Sequence, residues 1–242
     1  MYEERTYRQY CSSDDLVSFR AVYGETDLFI SCERDLKAVA EAKIKELRLQ
    51  LNKYIVGNPV FESSFVPIRR DLFAPQIAKE MMKASSAMKV GPMAAVAGAF
   101  ADFVGKELLK QSGQVIIENG GDIFMKISIP RKVAVFAGDS PFSEKILLEI
   151  DPEETPLGIC TSSGTVGPSI SFGSADAVVV KAATAALADA AATAIGNEIK
   201  TSGDIEKTLE KYEKNKKLHG ILIIKGDKMG IAGAVKIARV CS

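Results

Sequence analysis

Between positions 182 and 197 the chain reads Ala-Ala-Thr-Ala-Ala-Leu-Ala-Asp-Ala-Ala-Ala-Thr-Ala-Ile-Gly-Asn. Alanine is the strongest helix former, so these residues are expected to form a helix almost bare of side chains. Such a rod is buried only by bringing other backbones, or something bulky, close to it. Asp189 and Thr193 are its polar interruptions at helical spacing: four residues apart, they share one face, one turn from each other. A carboxylate and a hydroxyl on a bare face suit a hard cation such as Mg²⁺, which takes few protein oxygens and completes its shell with water and substrate phosphate. The same pattern fits a tightly packed helix whose Asp is merely solvated near its start. Spacing alone leaves both readings open.

Upstream, Thr161-Ser162-Ser163-Gly164 reads as a turn with hydroxyls and backbone N–H groups of the kind that receive phosphate or the polar edge of a ring, although such clusters are commoner as plain turns. A second small-residue helix is expected over 92–111, with Pro92 at its favoured first position. Its first half carries Ala94, Ala95, Ala97, Gly98, Ala99 and Ala101. Gly98 costs about 1 kcal/mol of helix propensity, so tight packing or ligand approach is expected to compensate there.

The remaining elements follow from periodicity and turn residues. Residues 16–22 and 27–32 flank Tyr23-Gly24-Glu25-Thr26 as a hairpin. An amphipathic helix begins at Asp35 and runs to about Tyr54, with Leu36, Val39, Ala40, Ile44, Leu47 and Leu51 on its apolar face, and Gly57-Asn58-Pro59 closes it. Residues 61–73 are irregular, helical periodicity returns over 74–85, and 114–118 with 122–129 form a hairpin about Asn119-Gly120-Gly121. Strands are expected over 132–137, 145–150, 157–161 and 176–181, then helices over 182–197 and 204–215, and a last hairpin of 220–225 with 229–232. Strands, two helices and a hairpin, given twice, indicate an α+β protein made of two ββααββ units with mainly antiparallel sheets and packed helix pairs. The order excludes a strand-helix alternation of the Rossmann kind. With no linker between them, the halves, roughly 14–130 and 131–236, are expected to form a single domain over 1–242, with any ligand where they meet.

Charge and composition exclude several classes of function. Lys and Arg number 31, as do Asp and Glu, so nothing favours a nucleic-acid partner. The polar, charged start and the interrupted apolar runs argue against a signal peptide or a membrane span, and a cytoplasmic protein is expected. Cys11, Cys32, Cys160 and Cys241 are scattered and lack a histidine cluster, so zinc and a disulfide framework are not expected, and Cys160 is reactive only if exposed.

Three blocks occur in order: residues 90–102 ending Ala97-Gly98-Ala99-Phe100-Ala101-Asp102, the Gly120-Gly121-Asp122-Ile123 hairpin tip, and Cys160 to Thr193. Together they resemble the ApbE-like superfamily, studied members of which transfer FMN from FAD to a Thr or Ser of a target protein using Mg²⁺, and most of all its short branch, uncharacterised protein family 0280. The resemblance implies a tandem T-fold-like architecture, with Asp189 and Thr193 as Mg²⁺ ligands. It places Thr161, Ser162, Ser163 and Gly164 against the flavin nucleotide, with Gly120, Gly121, Asp122, Gly98 and Asp102 as further nucleotide-binding positions. FAD and Mg²⁺ are thus the implied cofactors, a flavin nucleotide or other phosphorylated small molecule the ligand, and an acceptor protein the partner.

The chain also departs from the family pattern. Gly91 and Ala97 occupy the places of an Asp and a Lys, and residues 167–175 stand where a His-containing loop is usual; the single histidine is His219. Losing a lysine beside a pyrophosphate removes a large electrostatic contribution. A non-catalytic small-ligand-binding or assembly protein on the same scaffold therefore stands as the alternative. Arg69-Arg70 could replace the charge by clamping phosphate, or be a solvated pair. Asp102 could be a ligand-facing acid, a surface charge or a buried structural partner.

Overall fold

The computed structural model describes residues 15–164 and 172–239; Cys11, Cys241 and residues 167–171 of the shortened loop lie outside them. Eleven strands and six α-helices are present among the described residues. Eight strands form one sheet, all of whose neighbours are antiparallel: β1 (Val17–Tyr23), β2 (Thr26–Cys32), β3 (Val115–Asn119), β4 (Asp122–Lys126), β7 (Leu157–Ser162), β8 (Ala177–Ala182), β9 (Leu218–Lys225) and β10 (Lys228–Gly233), in that spatial order. The helices α1 (Lys37–Gly57), α2 (Val60–Ser63), α3 (Gln76–Met88) and α4 (Val96–Leu108) connect β2 to β3, and α5 (Ala185–Glu198) and α6 (Asp204–Glu213) connect β8 to β9. A smaller sheet of order β11-β6-β5 uses β5 (Arg131–Ala134), β6 (Ile146–Ile150) and β11 (Lys236–Arg239). The α+β class with antiparallel sheets and packed helices is as the sequence indicates. The strands over 131–150, expected in the main scheme, instead leave it to form the small sheet with β11, an element the sequence reading did not contain.

Two cores explain the apolar patterns. Leu28, Ile30, Ile117, Phe124, Val178 and Ile223 face the helices, whereas Ile116, Met125, Ile159, Val179 and Leu222 face the small sheet's Val133, Ile146 and Leu148. Strands covered on both faces carry unbroken apolar runs, as in Ile221–Ile224. At the β1 edge, Ala21 is buried and Val22 exposed, the alternation of a strand covered on one face. Helix α1 buries Ala40, Ile44, Leu47 and Leu51 along one stripe. Helix α5 is buried nearly all round, as its alanines require. The expected 92–111 helix divides into a 3-10 turn over Pro92–Ala95 followed by α4.

Candidate functional site

Helix α5 starts in a slot made by two glycines. A Cβ on Gly98 of α4 would lie 2.2 Å from the Ala185 carbonyl oxygen, and one on Gly158 of β7 would lie 2.3 Å from the Ala185 Cα. No side chain fits at either position, so the tight packing expected to compensate for Gly98 is contact with α5.

Each helix caps the other across this crossing. The Ala185 and Ala186 amides, at the start of α5, donate to Asp102 Oδ1 and Oδ2 of α4, both at 3.0 Å. Thr184 Oγ1 accepts from the Leu187 amide at 3.2 Å. In return, the Gly98 amide in the first turn of α4 donates to Asp189 Oδ2 of α5 at 3.0 Å. These bonds satisfy amides that a helix start leaves without intrahelical partners, and they explain why α4 begins at Val96. Asp102 is only 1% exposed, with both oxygens committed. Of its three readings, the buried structural partner is the one observed. Burial raises its carboxyl above the usual range, against the pull of the two amides.

Asp189 is half-buried, and its carboxyl is pushed up to about 7, first by burial and then by the charge of Asp102, against the Gly98 and Ala97 amides. Asp122 faces the same cluster from β4, paired with Cys160 of β7 and 8% exposed. Burial, and then the charge of Asp189, hold its carboxyl well above the carboxylate range. Neither Asp102, Asp122 nor Asp189 has a salt-bridge partner among the described residues. The Cys160 thiol is buried and donates to the Ala185 carbonyl at 3.2 Å, and burial followed by the surrounding carboxylates pushes it far above the thiol range. It is an inert core thiol.

The hairpin tip adjoins this crossing. Gly120 and Gly121 have φ of +66° and +103°, the two left-handed positions of a two-residue turn that side chains resist. The Gly121 amide donates to Glu118 Oε1 at 3.0 Å, and Asn119 Nδ2 donates to the Ala97 carbonyl at 2.9 Å, tying the tip to the start of α4. Nothing lies within 4 Å of a Cβ placed on Gly120, so the tip is open there. Sequence reasoning took Asn119 for a turn former alone; its tertiary bond leaves no local signal.

Thr161 and Ser162 are the last residues of β7, opposite Val179 and Val178, and not part of a turn. A strand places successive side chains on opposite faces, so Ser162 shares the helix-side face of Cys160 and Thr161 faces the other way. Ser163 is half-buried and Gly164 exposed just beyond the strand. Gly164 meets Gly173, whose own Cβ would lie 1.7 Å from the Gly196 carbonyl, so these glycines tie the end of β7 to the end of α5.

Thr193 is half-buried one turn along α5 from Asp189, with no hydrogen bond to its hydroxyl among the described residues. No group of three or more His, Cys, Asp or Glu side chains converges to hold a metal among those residues. The donor chemistry at Asp189 and Thr193 still fits Mg²⁺: two hard oxygens, in a buried acidic cluster without a cationic partner among the described residues, leave the other positions to water and phosphate. Arg69 and Arg70 are exposed and without a partner among the described residues, as a solvated pair would be. His219 is exposed on β9. No single helix among the described residues is long and apolar enough to cross a membrane.

The family model described as AbpE bacteria matches residues 8–219. A UPF0280 protein of Methanococcus vannielii is 40% identical over 227 residues, covering 91% of this chain and 92% of that protein. A UPF0280 protein of Methanocaldococcus jannaschii is 38% identical over 222 residues, covering 89% and 90%. Among solved structures, the flavinyl transferase ApbE of Pseudomonas stutzeri in its apo form overlaps with a TM-score of 0.59 at 15% identity, covering 90% of this chain and 93% of that one. The flavin transferase ApbE of Vibrio cholerae overlaps with a TM-score of 0.57 at 14% identity, covering 90% and 97%. At such identities the likeness is one of fold.

Proposed function

The chain belongs to the UPF0280 family, within the family described as AbpE bacteria, and on that premise we propose that it binds FAD with Mg²⁺ where α4, α5 and the Gly120-Gly121 hairpin tip meet. The observation that carries this reading is the pair on α5: an Asp189 carboxylate in a buried acidic cluster, one turn from a Thr193 hydroxyl with no hydrogen bond among the described residues. Asp189 and Thr193 hold the cation, which when bound would polarise the pyrophosphate. The open tip at Gly120 and Gly121, the Ser162, Ser163 and Gly164 segment ending β7, and the small-residue start of α4 at Gly98 leave room for the nucleotide. Thr161 contributes through its backbone. Asp102 and Asp122 support from behind, one by capping α5 and the other by filling the acidic cluster.

Transfer of FMN to a Thr or Ser of an acceptor protein is the activity this assignment implies. We take the scaffold as two T-fold-like halves of one domain and the setting as cytoplasmic. One observation favours the alternative, a non-catalytic binding or assembly protein: Ala97 occupies the lysine position of the superfamily, and among the described residues no salt bridge brings a basic group to the acidic cluster. Incubating the purified protein with FAD and Mg²⁺, while following AMP release and thermal unfolding, separates the readings. AMP release marks transfer or hydrolysis, and a Mg²⁺-dependent rise in Tm without AMP marks binding alone. No response to FAD or FMN, with or without Mg²⁺, would overturn the flavin assignment.

A further inference from the structure

We propose that the surface made by residues 56–73 joins two copies of this chain about a two-fold axis. Along this stretch large apolar side chains face outward beside charged ones. Phe73 is 98% exposed and Val56 82%, and Val60, Phe65, Val66 and Leu72 are each more than half exposed. Polar contacts fasten the stretch: the Tyr54 hydroxyl donates to Asp71 Oδ2 at 3.1 Å, and Asp71 Oδ1 accepts the Phe73 amide at 2.8 Å. Phe61 is buried with its ring centroid 5.3 Å from that of Tyr54, and the Ser64 carbonyl packs so closely on Gly91 that a Cβ there would lie at 1.7 Å. The outward display of large apolar side chains is therefore built into a fastened segment.

The exposed apolar groups amount to several hundred Å², on the order of the largest patch a monomer carries. That matches the apolar share of one side of a standard interface, about 800 Å² per subunit. Charge selects the occupant. Glu62, Arg69 and Arg70 are exposed on the same stretch, and none has an ion-pair or hydrogen-bond partner for its side chain among the described residues. A surface bearing both signs is complementary to itself under two-fold rotation, with Glu62 of each copy facing the arginines of the other. An anionic lipid surface would call for cations alone.

The test is the mass in solution, by light scattering and sedimentation, across a wide range of protein concentration. The wild-type chain should run at twice its own mass, and Phe73→Glu should halve it. Arg69→Glu with Arg70→Glu should also give the monomer, and adding Glu62→Arg to that pair should restore the dimer; circular dichroism should be unchanged throughout. Restoration by the third substitution separates an interface from a folding defect. A monomeric wild type, a dimer that survives Phe73→Glu, or failure of the charge reversal to restore association overturns the proposal. So does a monomer that co-sediments with phosphatidylserine vesicles, which would make the surface a membrane contact instead.

Discussion

Replacing Gly98 by alanine sets a local gain against a tertiary loss, and the geometry decides which wins. In an isolated helix the change would stabilise by about 1 kcal/mol. In this fold the new methyl would stand 2.2 Å from the Ala185 carbonyl oxygen and 2.4 Å from its carbon, both backbone atoms. Helix α5 would have to retreat by roughly 1 Å to reach ordinary contact. Ala185 also lies against Gly158, and its amide is held by Asp102, so the retreat strains the reciprocal caps. Overpacking costs about 1–3 kcal/mol, and each weakened buried hydrogen bond costs on the order of 1 kcal/mol more. The net expectation is a loss of about 2–4 kcal/mol, a fall in Tm of roughly 5–15 °C for a chain of this size. Urea unfolding of the variant measures it. Gly57→Ala, at the end of α1 with nothing within 4 Å of the new atom, serves as control and should be neutral or slightly stabilising. A Gly98→Ala protein as stable as the wild type would refute the close-crossing account of α4 and α5.

Further predictions rest on other contacts. Asp102→Ala leaves the Ala185 and Ala186 amides buried without acceptors and should cost about 2–5 kcal/mol in the same assay; a loss below about 0.5 kcal/mol, the scatter of surface substitutions, would count against the cap. Lys181 is 2% exposed and pairs with Glu154 at 2.6 Å. Burial would raise the Glu154 carboxyl, but the Lys181 ammonium and the Asp151 amide outweigh it and leave it below the ordinary value. A depressed folded-state pKa contributes stability above the unfolded value of about 4.3 and loses it as pH falls through the folded one. Acid unfolding should therefore be less steep in Glu154→Gln, and at neutral pH that variant should lose about 3 kcal/mol by leaving a buried ammonium without its anion; an unchanged acid profile would contradict the pair's role. Cys160 should resist alkylation in the native protein at pH 8 and react once unfolded, as read by peptide mass spectrometry; rapid native labelling would contradict its burial.

The sequence revealed the elements more readily than their tertiary partners. The α1 stripe from Ala40 to Leu51, the Asn119-Gly120-Gly121 hairpin and the near-bare α5 follow from local rules: a 3.6-residue period, a turn needing two left-handed residues, and helix propensity. The small sheet was not legible, because β11 is four residues long and its pairing with β6 spans some ninety positions, which no local pattern records. The site divides in the same way. The spacing that singles out Asp189 and Thr193 survives in α5, one turn apart. That Asp102 caps α5 while Asp189 caps α4 could not be read, since it depends on two helix starts crossing at Gly98. The Thr161-Ser162-Ser163-Gly164 run reads as a turn because Ser, Thr and Gly favour turns, yet the pairing of Thr161 with Val179 and of Ser162 with Val178 carries the strand one residue past the expected 157–161. Tertiary pairing overrides that local preference.

The most direct measurement is a calorimetric titration of Mg²⁺ into the FAD-saturated protein and into its Asp189→Asn variant. Asparagine retains an oxygen for the Gly98 amide and is itself a good cap, so the variant should keep its fold while losing the charge proposed to hold the cation. The account predicts Mg²⁺ binding in the parent and at least tenfold weaker binding in the variant, a difference of about 1.4 kcal/mol or more. Equal affinities in the two proteins, both folded, would contradict it.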